Sequence, residues 1–475
     1  MYSENAYFSG IKVEEPIHLP EARRLNVLVV GAGLGGLGAA IALLLAGHHV
    51  HVLESASQIA EVGAGIQILP NSARVLIQWG LGPRLARLAT IPEKVLMLGW
   101  KGNIITSHDF GAAAKEYCAP FWDFHRADLH GALLERVQEL GATCQTNARV
   151  VDIDTACPNT ATVTLASGAR MTADLVVGAD GIFSKCREIM LDAPSPPEAT
   201  GDLAYRVLMS TDGIRDDPEL APFLQAHHVK YWMGPQKHAV SYVLRNGQLL
   251  NMVLLVPDDM PPGATTVDAS VEEMQALFQD WDSRIPKLLK HCKAVQKWRL
   301  CYRPGMERPW HNATGTLTLL GDAVHATLPY LASGAGMSLE DGAALGHCFS
   351  RISDGSAQSK QLALSVYEHC RRQRTERIVE RGKLQQHLYH IDDGEEQEAR
   401  DERLRVFGRL EEELQAQGSD SSTTILPDGL APESDPLAWR RHGVGSWLIG
   451  YDCLEHVDAN WPNGDNAKAQ VRASL

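Results

Sequence analysis

Twenty-one residues without a charge, Val27 to Gly47 ("VLVVGAGLGGLGAAIALLLAG"), constrain the fold more than any other stretch of the chain. A run of this length is enough to span a bilayer, and Gly31-x-x-x-Gly35 has the small-residue spacing of paired membrane helices. The order of the residues argues against that reading. β-Branched valines lead, five glycines crowd into positions 31–38, and Ala and Leu follow as far as Gly47. Strand-forming composition gives way to helix-forming composition across the glycines, which predicts a strand, a turn and a helix. A uniformly apolar strand such as Val27–Val30 belongs in a parallel sheet covered on both faces.

Gly31, Gly33 and Gly36 spell G-x-G-x-x-G, and "HHVHVLE" supplies a second strand that closes on Glu54. In a dinucleotide site Gly31 permits the tight turn, Gly33 lets a pyrophosphate approach the backbone, and Gly36 lets helix and strand pack closely. The anion then sits at a helix N-terminus, where free N–H groups favour it. Glu54 can accept both ribose hydroxyls, and its charge disfavours a 2′-phosphate. A plain βα turn would explain the glycines alone, but the flanking strands and the acid favour the nucleotide. This unit does not separate NAD from FAD.

A second glycine-rich break, "GDAVHATLPYLASGAGMSLEDG" (321–342), also follows an apolar run, "GTLTLL". Two such turns, each at the end of a strand, are expected to touch one extended ligand. Between them, "EVGAGIQILPNSARVLIQWGL" (61–81) predicts a glycine loop and then a helix from near Asn71. Arg126 stands just before an amphipathic helix carrying Leu129, Leu133 and Leu134. Residues 148–178 predict a β-meander and a strand ending at Gly178, and alternating stretches from about 200 to 298 predict a mainly antiparallel sheet. A charged helix is expected over 362–389 and a surface loop over 418–436. Asp435-Pro436 is expected to open a last helix as N-cap and first residue.

The length of 475 residues suits two or three domains, and the net charge of −14 argues against nucleic acid as a partner. Nine cysteines without a CxxC pair suit a reducing compartment, and the polar, acidic N-terminus shows no signal peptide. A cytoplasmic protein without a transmembrane segment is therefore expected, and an oligomer is compatible with the sequence. Hydrolase and zinc-protease signatures are absent from the sequence, and no metal site is expected.

The motifs GAGLGG (31–36), HRADL (125–129), DGIFSKCR (180–187) and the 321–342 segment resemble the FAD-dependent aromatic hydroxylases. Within these single-component flavoprotein monooxygenases the likeness is nearest to salicylate-hydroxylase-like enzymes of fungal secondary metabolism, and it runs from about Asn26 to Arg374. The resemblance implies an α/β fold: a Rossmann-like, glutathione-reductase-like FAD-binding domain, an inserted antiparallel β-sheet domain for substrate, and a helical C-terminal region. The expected division is 24–198 and 299–390 for FAD, 199–298 for substrate, and 391–475 for the helical region. It implies noncovalent FAD held by Gly31, Gly33, Gly36, Glu54, Gly65, Arg126, Asp180, Asp322, Gly334, Ala335 and Gly336. Pro329 is expected beside the flavin, and His325 is carried as a candidate catalytic residue whose simpler role is structural.

The implied reaction uses NAD(P)H and O2: a flavin C4a-hydroperoxide hydroxylates an electron-rich phenol or phenolic acid. Such a site needs a cation near the substrate oxygen, and Tyr205-Arg206 in "DLAYRVL" is the candidate pair, with Tyr231, His238 and Tyr302 as fallbacks. Two departures from the family stand out. Ser333 replaces a usual Gln before the second glycine loop, and Tyr302 replaces a usual Asp upstream of "RPG". A flavin-dependent epoxidase and a non-catalytic FAD-fold protein are the alternatives.

Overall fold

The computed structural model describes residues 10–59, 64–417, 426 and 430–462. A five-stranded parallel sheet runs in the order Leu317–Leu319, Leu175–Gly178, Asn26–Val30, His49–Leu53 and Thr143–Gln145, with the most apolar strands at its centre. Val30 pairs with Leu53 and Gly178, and Gly178 pairs with Leu319. These strands therefore end level, so both glycine turns open at the same carboxyl edge, where ligands of open α/β sheets bind.

The helix Leu34–Leu45 packs along the helix Gly334–Phe349. A Cβ at Gly342 would lie 2.7 Å from Ala39 N, and one at Gly346 would lie 2.6 Å from the Ala42 Cβ. Only bare backbone fits that crossing, and it draws the two helix starts together. The uncharged run thus resolves into strand and helix; among the described residues no helix is long and apolar enough to cross a membrane.

The second large sheet has eight strands. It runs Thr266–Ala269, Val295–Tyr302, Glu198–Ser210, Leu249–Pro257, Lys237–Leu244, His228–Gly234, Lys94–Gly99 and Ile104–Asp109. Its pairs are antiparallel except that His228–Gly234 runs parallel to Lys94–Gly99. The sheet thus takes in two strands from outside the 199–298 segment, through a long-range pairing that no local pattern signals. Along Glu198–Ser210, Leu203, Tyr205, Val207 and Met209 enter one core with Ile285 and Leu288 of the helix Arg284–Leu289. Ala204 and Arg206 face the other way, toward the parallel sheet and a cavity between the two. The three-stranded meander Val150–Asp154, Ala161–Leu165 and Arg170–Ala173 forms as expected.

The charged helix runs Ala357–His390, longer than predicted because Ser356 caps it, accepting from Ser359 N–H. The helix Glu395–Gln417 crosses the edge strand Ile104–Asp109, where His108 bonds Glu411 at 2.8 Å. Asp435-Pro436 opens no helix, contrary to expectation. The Asp435 carboxylate instead accepts from Leu437 N–H at 2.9 Å and from the buried Arg440 at 3.1 Å, closing a turn about a guanidinium. Among the described residues the last helix is Cys453–Asn460, capped by Asp452. Most of the loop expected at 418–436 lies outside the described residues.

Candidate active site

The first turn is built to be entered. Gly31 has φ +104°, and a Cβ there would strike Ala179 O at 2.5 Å; at Gly36 a Cβ would lie 2.0 Å from Gly31 O. At Gly33 a Cβ would meet nothing within 4 Å, so this backbone borders open space. Glu54 holds the turn: Oε2 accepts from Ala32 N–H at 2.9 Å and Oε1 from Ala56 N–H at 2.7 Å. Oε1 also accepts from the Ser55 hydroxyl at 3.1 Å, so Oε2 is the oxygen that keeps a second lone pair suited to a ribose hydroxyl. Buried His130, which the sequence analysis passed over, donates Nε2–H to Ala32 O at 2.7 Å from the helix Arg126–Glu139.

The second turn rests on buried charge. Asp341 Oδ2 accepts from Gly321 N–H at 2.9 Å and from His325 Nε2 at 2.5 Å, while Arg371 reaches Oδ1 at 2.8 Å. Burial opposes the Asp341 charge, but His325 and Arg371 outweigh it and hold the carboxyl down at about 2. Glu340 beside it is shared by Arg371, Arg374 and Asn71. Asp322 opens onto the cavity but is walled in elsewhere by protein. Burial raises its carboxyl above the usual range, against the pull of His325 and Arg126.

Between the turns and the large sheet lies a cavity of about 360 Å3. Gly33, Gly65, Arg126, Asp322, Pro329, Gly334 and Ala335 line one part of it. The N–H groups that open the helix Gly334–Phe349 have no intrahelical partner and face this space. Gly65 donates its N–H to Asn251 at 2.8 Å, and a Cβ there would strike Tyr242 Oη at 2.5 Å.

A family model described as an FAD binding domain matches residues 24–382. The FAD-dependent monooxygenase OpS4 of Beauveria bassiana (strain ARSEF 2860) is 38% identical over 451 residues, which cover 94% of this chain and 98% of that protein. This chain belongs to the FAD-dependent monooxygenases. Hispidin-3-hydroxylase of Neonothopanus nambi is 35% identical over 75% of this chain and 87% of its own length. Among solved structures, a salicylate hydroxylase substrate complex shares the fold with a TM-score of 0.72 at 21% identity, covering 93% of this chain and 99% of that one.

The monooxygenase fits FAD on its own geometry. The open backbone at Gly33, the donors at Gly334 and Ala335, and the walled carboxylate of Asp322 suit an extended dinucleotide. Of the expected site residues, Gly31, Gly36 and Glu54 shape the first turn without lining the cavity, and four others are engaged elsewhere. Tyr205 is the neighbour of Arg206 on a strand, so the two side chains point to opposite faces. Its hydroxyl donates to Glu273 at 3.0 Å in the opposite core. His325 is used up beneath the turn by Asp341 and does not line the cavity. The Asp180 carboxylate caps the helix Lys185–Leu191, accepting from Ser184 Oγ at 2.6 Å and Lys185 N–H at 2.7 Å, while Gly181 lines the cavity. Gly336 packs against the helix Pro70–Gln78, where a Cβ would lie 2.9 Å from Ser72 Oγ.

The sheet face that floors the cavity has a legible register. Arg206, Val253, Val240 and Tyr231 lie side by side across four strands; Ala204, Leu255 and His238 form the adjacent row. The Arg206 guanidinium stacks 4.6 Å from the ring centre of Trp298. Tyr231 and His238, the fallbacks, line the cavity, whereas Tyr302 bonds Glu198 away from it. Gln67 and Tyr242 also line it without having been singled out. Gln67 is steadied by Asp123, which accepts from its amide at 3.0 Å and which burial pushes up to about 8.

Proposed function

We propose that this monooxygenase hydroxylates an electron-rich phenol or phenolic acid, using NAD(P)H and O2. The observation that carries this reading is the continuity of one cavity from the Gly33 turn, past Asp322 and Pro329, to a floor bearing Arg206. Bound FAD supplies the redox chemistry, taking electrons from NAD(P)H and activating O2 so that one oxygen atom reaches the substrate. The protein positions and shields that chemistry. Gly33, Glu54 and Arg126 hold the nucleotide end, while Asp322 and the N–H groups of Gly334 and Ala335 hold the rest. Arg206 fixes an oxyanion or carboxylate of the substrate, and Val240, Val253 and Leu255 exclude water from the ring between. A phenolate is the stronger nucleophile, and an Arg within about 4–6 Å lowers a phenol pKa by about 1–3 units. A cation on the floor suits this substrate class and does not suit the apolar alkene of an epoxidase.

The test is a screen of phenols and phenolic acids for stimulated NAD(P)H oxidation, with mass spectrometry of the products. Products heavier by one oxygen, carrying label from 18O2, are expected. Flavin-loaded protein that consumes NAD(P)H with none of them overturns the reading.

A further inference from the structure

We propose that Gln67 is a specificity-determining residue. At the end of the cavity floor away from Arg206 it selects a substrate carrying an uncharged group that both donates and accepts, such as a primary amide, and rejects a carboxylate there. This rests on the phenolic-acid reading above, in which Arg206 takes the anion at the other end.

Gln67 comes from a two-stranded ribbon, Gly65–Ile68 and Trp122–His125, that is separate from the eight-stranded floor. Both strands of the ribbon are pinned. Gly65 donates its N–H to Asn251 on the floor at 2.8 Å, and Asp123 exchanges backbone hydrogen bonds with Thr90, both at 2.9 Å. Gln67 and Asp123 stand directly opposite each other across the ribbon, so their side chains share a face. Asp123 takes one amide hydrogen of Gln67 at 3.0 Å. The Gln67 carbonyl oxygen has no partner among the described residues, and Gln67 lines the cavity.

The amide therefore offers the cavity both halves of a hydrogen-bond pair. A protonated Asp123 can accept from the amide nitrogen or donate to its oxygen, and in either setting an N–H and a lone pair of Gln67 remain free. A primary amide meets both, whereas a carboxylate only accepts and leaves the lone pair unmet.

The corner is also closed to charge. Burial pushes the Asp123 carboxyl up to about 8, and the group that pulls against it is the neutral Gln67 amide, not a cation. Burial likewise keeps the nearby hydroxyls of Tyr231 and Tyr242 protonated, and Asp123 adds to that. A substrate carboxylate set in this corner meets the same desolvation with no cation to offset it.

The sheet sets the spacing. Tyr242 and Tyr231, which face Asp123, lie two and three strands from Arg206, roughly 10 and 14 Å across the floor. Val253 and Val240 stand between Arg206 and Tyr231 in the same row. An aromatic ring over these valines puts its anion at Arg206 and its opposite substituent at Gln67.

The experiment titrates FAD-loaded protein with three probes of nearly one shape, read by flavin absorbance. 4-Carbamoylbenzoate, terephthalate and 4-isopropenylbenzoate share a carboxylate for Arg206 and differ at the far end: amide, second carboxylate or hydrocarbon. The same comparison is made within the longer cinnamates. Wild type is expected to bind the amide about tenfold or more tighter than either of the others, because they leave Gln67 unpaired or bury a charge. In Gln67→Leu the amide and the hydrocarbon should come within about threefold of each other, while the hydrocarbon's own Kd and the flavin content hold. Asp123→Asn, which keeps an uncharged partner for Gln67, should retain the preference for the amide. Equal affinities for amide and hydrocarbon in wild type overturn the proposal, and so does terephthalate bound as tightly as the amide. So does a Gln67→Leu variant that weakens all three probes alike or loses flavin, which assigns Gln67 to the flavin. If wild type binds none of the probes, the anion clamp at Arg206 and the phenolic-acid reading fail, and the proposal falls with them.

Discussion

Gly33 and Gly36 sit in one motif, yet their substitutions should fail in different ways. Gly33 has φ −73° and ψ 179°, a conformation open to any residue, and a Cβ there meets nothing within 4 Å. Gly33→Val should therefore fold without strain while its methyls fill the space a pyrophosphate must enter. Losing one charge-assisted hydrogen bond costs about 1.5–3 kcal/mol, or about one to two decades of FAD affinity. At Gly36 a Cβ would lie 2.0 Å from Gly31 O. Gly36→Ala must push the helix Leu34–Leu45 off its strand, and overpacking of this kind costs about 1–3 kcal/mol with no flavin present. The assay is urea denaturation with and without FAD. Ligand at a hundredfold excess over Kd adds about 2.7 kcal/mol. Gly33→Val should match flavin-free wild type and gain little from FAD; Gly36→Ala should be weak from the start. If Gly33→Val binds FAD like wild type, or is as unstable as Gly36→Ala without it, the reasoning fails.

Three further outcomes follow from the same geometry. Asp322→Ala should keep the fold and weaken FAD binding by about 1–3 kcal/mol, the cost of an unmet buried partner, read by flavin fluorescence titration. Asp123 is held protonated up to about 8 against 3.8 in the free residue, so the folded state keeps a proton the unfolded state has lost. Stability should fall as pH rises from about 4 to 8, by up to about 1.4 kcal/mol per pH unit from this group, and Asp123→Asn should flatten that slope in urea melts at pH 5.5 and 7.5. Arg206→Ala should retain FAD but form less product per NAD(P)H consumed, since a misplacement of 1 Å can cost about a hundredfold in rate. Arg206→Lys should recover part of it, having charge without the fork; wild-type coupling in Arg206→Ala would remove Arg206 from the site.

The two glycine turns were legible because their chemistry is local: a strand end, a φ or a close approach, and a helix start follow one another along a short continuous stretch of sequence. The meander and the long helix were legible for the same reason. What lay beyond reach was pairing. The strand Lys94–Gly99 finds a parallel partner more than a hundred residues away, and His390 reaches the cavity wall only because the long helix ends there. Asp435 misled because a cap-and-proline pair is also what a tight turn around a buried guanidinium needs.

The Tyr205-Arg206 pair fails for a reason already present in the sequence. A strand sends alternate side chains to opposite faces, so a site that uses Arg206 must draw on Ala204 and exclude Tyr205. The same parity on the neighbouring strands selects Val253 and Leu255, then His238, Val240 and Tyr242, all of which line the cavity. Period-two logic therefore names the floor of the site strand by strand, but only the register places His238 opposite Leu255 and Arg206 opposite Val253. That register is set by the whole sheet, since a slip of one residue would turn Leu254 and Tyr205 toward the cavity and bury Arg206 in the opposite core.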